Sequence, residues 1–240
     1  MTATNASTID AFAWTKAWAE ETKLNVFSAE SLESTNTTAK KDGTAADLYL
    51  ARRQTAGRGR GQNSWESCDG ALLSSWCFAV ERVPQPIFSP LAGLALYEAC
   101  AATWPLISFN LKAPNDLYID KEKVAGLLIE TIDSGTRKLT IVGLGFNVTS
   151  RPEKIENSTF LSDSLRSPLT VSTWRAFLSE WYTQIKLAVA GGQQDHLDPA
   201  KAERLRAALN LHPLLSEPIL HVDELAQLHT PSGFTRWQEM

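Results

Sequence analysis

Gln54-Thr55-Ala56-Gly57-Arg58-Gly59-Arg60-Gly61-Gln62-Asn63-Ser64-Trp65 is the stretch from which the rest of the chain is read. Three glycines alternate with two arginines. Glycine adopts φ > 0 at no steric cost and lets backbone N–H groups approach an anion closely. Arginine adds a planar, permanently charged fork that matches carboxylate and phosphate. The alternation describes a loop able to close over something negatively charged. Alone, such a loop would also suit nucleic acid, or be a plain solvated turn. Apolar runs at Leu48 to Ala51 and Ala71 to Val80 flank it, so it joins two predicted strands.

Composition narrows the partner. With 240 residues, 43% of them hydrophobic and 21% charged, the chain can bury a full core and reads as an ordinary globular protein. The net charge of −4 gives no overall basic field for nucleic acid, so the loop's positive charge is local and suits a small anion. No apolar run has membrane-spanning length, and Met1 to Thr8 are small and polar, unlike a signal peptide. Cys68, Cys77 and Cys100 are odd in number and lack metal-ligand spacing, so they read as reduced thiols of a cytoplasmic protein.

Periodicity supplies the frame. Residues 9 to 21, with Trp14 and Trp18 four apart, read as a short amphipathic helix. Leu24 to Ser28 reads as a strand entering Ser34-Thr35-Asn36, where Thr35 or Asn36 could cap a helix. Phe88, Leu91, Ala92, Ala95, Ala99 and Ala102 predict a helix ending near Thr103. Ile107 to Leu111 reads as a strand that must turn at Ala113-Pro114-Asn115-Asp116, because a residue before proline avoids the helical region. Leu117 to Asp120, Lys123 to Ile132 and Lys138 to Val148 form a meander, with turns at Asp120 to Glu122 and Asp133 to Thr136. Its last two strands are apolar on both faces and so belong at the sheet centre, with Gly126, Gly143 and Gly145 leaving space for a ligand or a second backbone. Trp174, Phe177, Leu178, Trp181, Ile185, Ala188 and Val189 share one helix face closed by Gly191-Gly192, and Pro199 opens another helix. From His212 onward no clear alternation remains.

Taken in order, five stretches carry a resemblance: Ser34-Thr35-Asn36, the glycine–arginine loop, Lys112-Ala113-Pro114-Asn115-Asp116, Lys123-Val124-Ala125-Gly126-Leu127-Leu128-Ile129-Glu130 and Gly143-Leu144-Gly145-Phe146-Asn147. They resemble S-T-N, Q-T-A-G-R-G-R with a following tryptophan, K-W-P-N-D, K-L/V-A-G-I/L-L-I/V-E and G-I/L-G-x-N of the biotin–protein ligase catalytic domain. The resemblance covers residues 30 to 150 and reaches more weakly to 210. It implies an α+β fold of the class II aminoacyl-tRNA synthetase/biotin–protein ligase type, with a central mixed, largely antiparallel sheet and packed helices. It divides the chain into an N-terminal helical extension (1–23), a catalytic domain (24–210) and a short C-terminal tail (211–240). The leading segment is too short for the winged-helix domain some members carry. The tail is too short for their usual small barrel, which is expected to be absent or vestigial.

The resemblance implies an ATP-dependent ligase that makes biotinyl-5′-adenylate and transfers biotin to a lysine of a biotin carboxyl carrier protein domain. Bringing a carboxylate to a phosphate requires cations at the meeting point. Arg58, Lys112 and Lys123 are the implied catalytic cations. Ser34, Thr35, Asn36, Gln54, Gly57, Arg58, Asp116, Lys123 and Gly126 are implied for biotin. Arg58, Arg60, Trp65, Lys112, Asn115 and Asn147 are implied for ATP and the adenylate. Biotin's ureido group needs polar partners when buried; Ser34 and Thr35 can donate to its carbonyl, Gln54 can do both, and Asn115 or Asp116 can accept from its N–H. Mg²⁺ is expected mainly on the ATP phosphates, with no metal ligand certain in the chain. No nucleic acid or membrane partner is implied. An exposed edge strand could pair with a second copy as a homodimer, or with the acceptor.

Two positions depart from the pattern. Ala113 replaces a tryptophan, a gap that Trp104 or Trp76 could fill, and Gly61-Gln62-Asn63 carries less charge than arginine-rich loops. Two alternatives stay open: a lipoate or octanoate transferase of the same superfamily, and a catalytically weak biotin- or adenylate-binding protein.

Overall fold

Strand alternation sorts the apolar residues onto two unequal faces of one sheet. The computed structural model describes residues 9–42, 47–135 and 137–237. The polar leader Met1 to Thr8 and Thr136 of the predicted turn lie outside them. Seven strands, β1 (Val26–Leu32), β2 (Leu48–Gln54), β3 (Leu72–Val80), β4 (Phe109–Lys112), β5 (Asp116–Ile119), β6 (Glu122–Asp133) and β7 (Lys138–Phe146), lie in the order β1-β2-β3-β7-β6-β5-β4. Only β1 and β2 run parallel; every other neighbouring pair is antiparallel. The mixed, largely antiparallel sheet is as expected, with β7 at its centre and β6 beside it.

One face carries the main core. Leu48, Leu50, Leu72, Trp76, Val142, Leu144 and Phe146 meet the buried sides of α1 (Ala11–Glu21), α3 (Phe88–Thr103) and α4 (Val171–Gly191). Trp18 of α1 packs edge-on against Trp76, at 6.0 Å between ring centroids. Trp104 is occupied by Phe109, Phe146, Trp174 and Phe177. The other face is thinner. Ala39 of α2 (Thr35–Asp42) covers Tyr49, Cys77, Leu139 and Ile141. Farther along the same face the alternation brings up Ser75, Gly143 and Gly145 in place of large side chains. A trough results there.

Helix starts follow their caps. Asp10, Thr170 and Asp198 each accept from a first-turn backbone N–H. At α2 the capping oxygen is that of Ser34, which accepts from Thr37 N at 3.4 Å, so neither Thr35 nor Asn36 is the cap. α5 (Pro199–Asn210) has Pro199 in its first turn. The tail, in which no alternation was read, forms a three-stranded antiparallel meander of β8 (His221–Val222), β9 (Gln227–Thr230) and β10 (Gly233–Arg236). Trp237 follows it and is buried at 2% exposure.

Candidate active site

The floor of the site is backbone. Gly126 on β6 pairs with Gly145 on β7, and Gly143 pairs with Leu128. A Cβ at Gly143 would stand 2.4 Å from Asn36 Oδ1, and one at Gly145 would stand 2.5 Å from the Trp65 ring. At Gly126 it would come within 3.2 Å of Lys123 Nζ and Asp116 Oδ1. Glycine is required at the first two positions because neighbouring side chains lie directly on the peptide planes.

The glycine–arginine loop folds back over this floor as a narrow hairpin. Arg58 and Ser64 bridge antiparallel, Trp65 N donates to Gly57 O at 3.0 Å, and Gly59 N donates to Asn63 O at 2.8 Å. Its tip turns at Gly61, whose φ of +64° suits glycine. Gly57 is buried within the hairpin, where a Cβ would stand 2.4 Å from Trp65 O. The hairpin carries Arg58, Arg60 and Trp65 to the wall of one cavity, together with Ser34, Thr35, Asn36, Gln54, Asn115, Asp116, Lys123 and Gly126. Eleven residues singled out in the sequence thus meet around one space. Trp65 Nε1 is buried there with no hydrogen-bond partner among the described residues.

Two charged pairs flank the site along β6. Lys123 Nζ lies 2.6 Å from Asp116 Oδ1 and 5.6 Å from the centre of the Trp65 ring. Asp116, expected to accept from a ureido N–H, is therefore engaged with Lys123. Arg58 Nη1 reaches both oxygens of Glu130, at 2.9 and 3.1 Å. Burial pushes the Glu130 carboxyl up, but hydrogen bonds from Asn36 and Lys40 and the charge of Arg58 outweigh it, so its pKa is lowered.

Between them, over Gly143, the side chains are neutral and tightly bonded. Thr35 N and Oγ1 both donate to Gln54 Oε1, at 2.7 and 3.1 Å. Ser75 Oγ donates toward Thr35 Oγ1 at 2.7 Å and Asn36 Oδ1 at 2.5 Å. Thr35 therefore spends its proton inside the protein and is not the free donor expected for a ligand carbonyl. Gln54, expected to donate and accept, has its carbonyl occupied and offers its amide nitrogen. Asn36 bonds Leu128 O and Glu130 and so anchors α2. Asn115 donates to Leu127 O, which ties the turn to β6.

Three expected residues stand apart from the cavity wall. Gly57 shapes the hairpin. Asn147 is buried, donates to Thr159 O at 3.1 Å and accepts from Cys68 Sγ. Lys112 is exposed at the end of β4, with its ammonium 5.6 Å from the centre of the Tyr118 ring. Sequence reasoning missed Ser75 and Glu130. Two adjacent serines in the apolar run of β3, and the carboxylate that closes the Lys123 to Glu130 motif, were the signals available.

The polar, glycine-floored cavity under a two-arginine hairpin, with Lys123 on its wall, suits a small ligand that carries negative charge. The chain matches the biotin/lipoate A/B protein ligase family over residues 28–147, and it belongs to that family. It is similar to human biotin–protein ligase, 33% identical over 111 residues that span 43% of this chain and 15% of that protein. It is also similar to the biotin–[acetyl-CoA-carboxylase] ligase of Paracoccus denitrificans, 34% identical over 43% of this chain and 45% of that protein. The chain thus spans less than half the length of these curated relatives. Among solved structures, the Aquifex aeolicus biotin protein ligase in complex with biotin and ATP superposes with a TM-score of 0.71 at 23% identity, covering 89% of this chain and 95% of that one. That likeness is one of fold.

Proposed function

We infer that this chain activates biotin with ATP as biotinyl-5′-adenylate and transfers biotin to a lysine of a biotin carboxyl carrier protein domain. The observation that carries this reading is the placement of Lys123, held by Asp116 at 2.6 Å in a glycine-floored cavity under Arg58 and Arg60. The family relatives and the biotin- and ATP-bound fold relative support it.

In this reading the ureido ring lies toward Ser34 and the Gln54 amide, and the carboxylate points to Lys123 and Arg58. A carboxylate oxygen attacks the α-phosphorus, the bond to the β-phosphate oxygen breaks, and pyrophosphate leaves. Lys123 and Arg58 offset the charge that gathers there, and the rigid β6 backbone fixes the lysine before the reaction. Trp65, the Arg60 side chain and the Asn115 turn line the adenylate space, and the Lys112 ammonium meets the polyphosphate tail. An acceptor amine then attacks the acyl carbon and AMP leaves. Among the described residues no group of three His, Cys, Asp or Glu side chains gathers as a metal site. Magnesium in this proposal comes on ATP, consistent with an Asp116 carboxylate already engaged by Lys123. Among the described residues no helix is long and apolar enough to cross a membrane, and we place the enzyme in the cytoplasm.

The test is biotin-dependent exchange of labelled pyrophosphate into ATP, followed by labelling of a carrier domain. Exchange that depends on lipoate or octanoate instead would favour the transferase. Biotin binding without exchange would favour the weak binding protein.

A further inference from the structure

Arg58 touches Glu130 with a single nitrogen. Nη1 donates to both carboxylate oxygens, and the rest of the guanidinium is left for the cavity it lines. Glu130 is itself clamped. Asn36 and Lys40, one turn apart on α2, donate to Oε2 and Oε1 at 3.0 Å each. The Glu130 side chain is 13% exposed, whereas Arg58 is 44% exposed. A nearly buried carboxylate fixed from two sides thus grips a far more exposed arginine at the cavity wall. An arginine held at one edge loses less freedom when its other edge meets an anion.

We propose that Glu130 is a positioning residue, which holds Arg58 and through it the hairpin over the anionic end of the ligand. This rests on the biotin-ligase reading for the identity of the ligand, but not for the grip itself. Lys40 neutralises Glu130 without touching the cavity. Its removal loosens one side of the clamp and leaves the Arg58 contact and the cavity wall in place.

Glu130→Gln, Arg58→Ala, their double variant and Lys40→Met are compared with the wild type, each checked for an intact melting transition. In the ligand-free protein, cleavage within residues 54–65 by subtilisin, whose broad specificity does not depend on Arg58, should quicken about fivefold in Glu130→Gln and in Arg58→Ala, with no further gain in the double variant. In pyrophosphate exchange, Glu130→Gln should raise the biotin KM about tenfold with kcat changed less, Arg58→Ala should match or exceed it, and the double variant should equal Arg58→Ala. Lys40→Met should raise the biotin KM in the same direction but by less than Glu130→Gln, because Asn36 still holds Oε2. Independent effects of Glu130→Gln and Arg58→Ala that multiply in the double variant would overturn the proposal, as would hairpin cleavage unchanged by Glu130→Gln. A wild type without exchange would sink the ligase reading, and the proteolysis series would still decide whether Glu130 holds Arg58.

Discussion

The indole N–H of Trp237 donates to the carbonyl of Pro114 at 2.6 Å, joining the end of the described chain to the turn that carries Asn115 and Asp116. Trp237 is buried, and Gly93 on α3 approaches its ring. Neither Trp104 nor Trp76, both committed to other aromatic neighbours, is the indole that bonds this turn. Trp237→Phe keeps an aromatic ring and leaves the half-buried Pro114 carbonyl with only the long 3.5 Å bond from Ser89 Oγ. It should cost about 1–3 kcal/mol in urea unfolding. Stability within experimental error of wild type would show that the bond does not hold the tail.

Ala113→Trp follows from the same corner. Ala113 is 6% exposed and belongs to the main core, so the site is not an open socket. Forcing an indole in should lower stability by about 1–3 kcal/mol. A melting curve with a biotin titration decides it. Tighter biotin binding at an unchanged melting temperature would contradict the packing argument.

Gly145→Ala tests the glycine floor. The new methyl would meet the Trp65 ring at 2.5 Å, so the indole must leave its seat. Alanine itself suits a strand better than glycine. The fold should survive while biotin affinity falls by at least tenfold, about 1.4 kcal/mol. Removing the clash in a Gly145→Ala/Trp65→Ala double variant should make the two changes non-additive. Strictly additive losses would show that the glycine serves something other than Trp65.

Lys123→Ala should abolish adenylate formation. It also leaves Asp116, whose side chain is 20% exposed, without its cation. Asp116→Asn should therefore lower exchange less than Lys123→Ala does, because the lysine remains but loses its anchor. Near-normal pyrophosphate exchange in Lys123→Ala would remove the lysine from the reaction.

The strands and helices were legible from continuous apolar runs and from i, i+4 spacing: β3, β6 and β7 lie close to their apolar runs, and α3 and α4 close to their periodic faces. The site was legible where ordered motifs carry it, as with Lys123, Arg58 and the three glycines. What stayed hidden was set by long-range pairing. Glu130 stood in the sequence only as the last residue of a motif, with no role assigned, until α2 and the hairpin brought three side chains to it. Thr35 and Gln54 looked like ligand donors because nothing in the sequence shows that they bond each other. β8 to β10 are two to four residues long, too short for any period to register.

His212 gives a pH prediction outside the site. Asn110 Nδ2 donates to Asp120 O, so Asn110 Oδ1 faces His212 Nδ1 at 2.6 Å and takes its proton in a hydrogen bond. The other ring nitrogen, Nε2, is buried and has no hydrogen-bond partner among the described residues. Burial first, and the charge of Lys112 second, hold the imidazole pKa below its ordinary 6.5. The folded protein therefore resists a proton that the unfolded chain accepts. His212's contribution is complete above pH 6.5 and is lost as pH falls below 6.5 toward the depressed folded value. Each unit of separation is worth about 1.4 kcal/mol. Glu130, whose pKa is lowered, loses its own contribution only below the ordinary glutamate range, whereas burial raises the Glu98 pKa and gives a change of opposite sign as pH falls, so the comparison with His212→Gln is what isolates the histidine. Wild type should lose more stability across that interval than His212→Gln, measured as urea unfolding free energy at each pH. Parallel pH dependences for the two proteins would show that His212 takes up its proton as readily folded as unfolded.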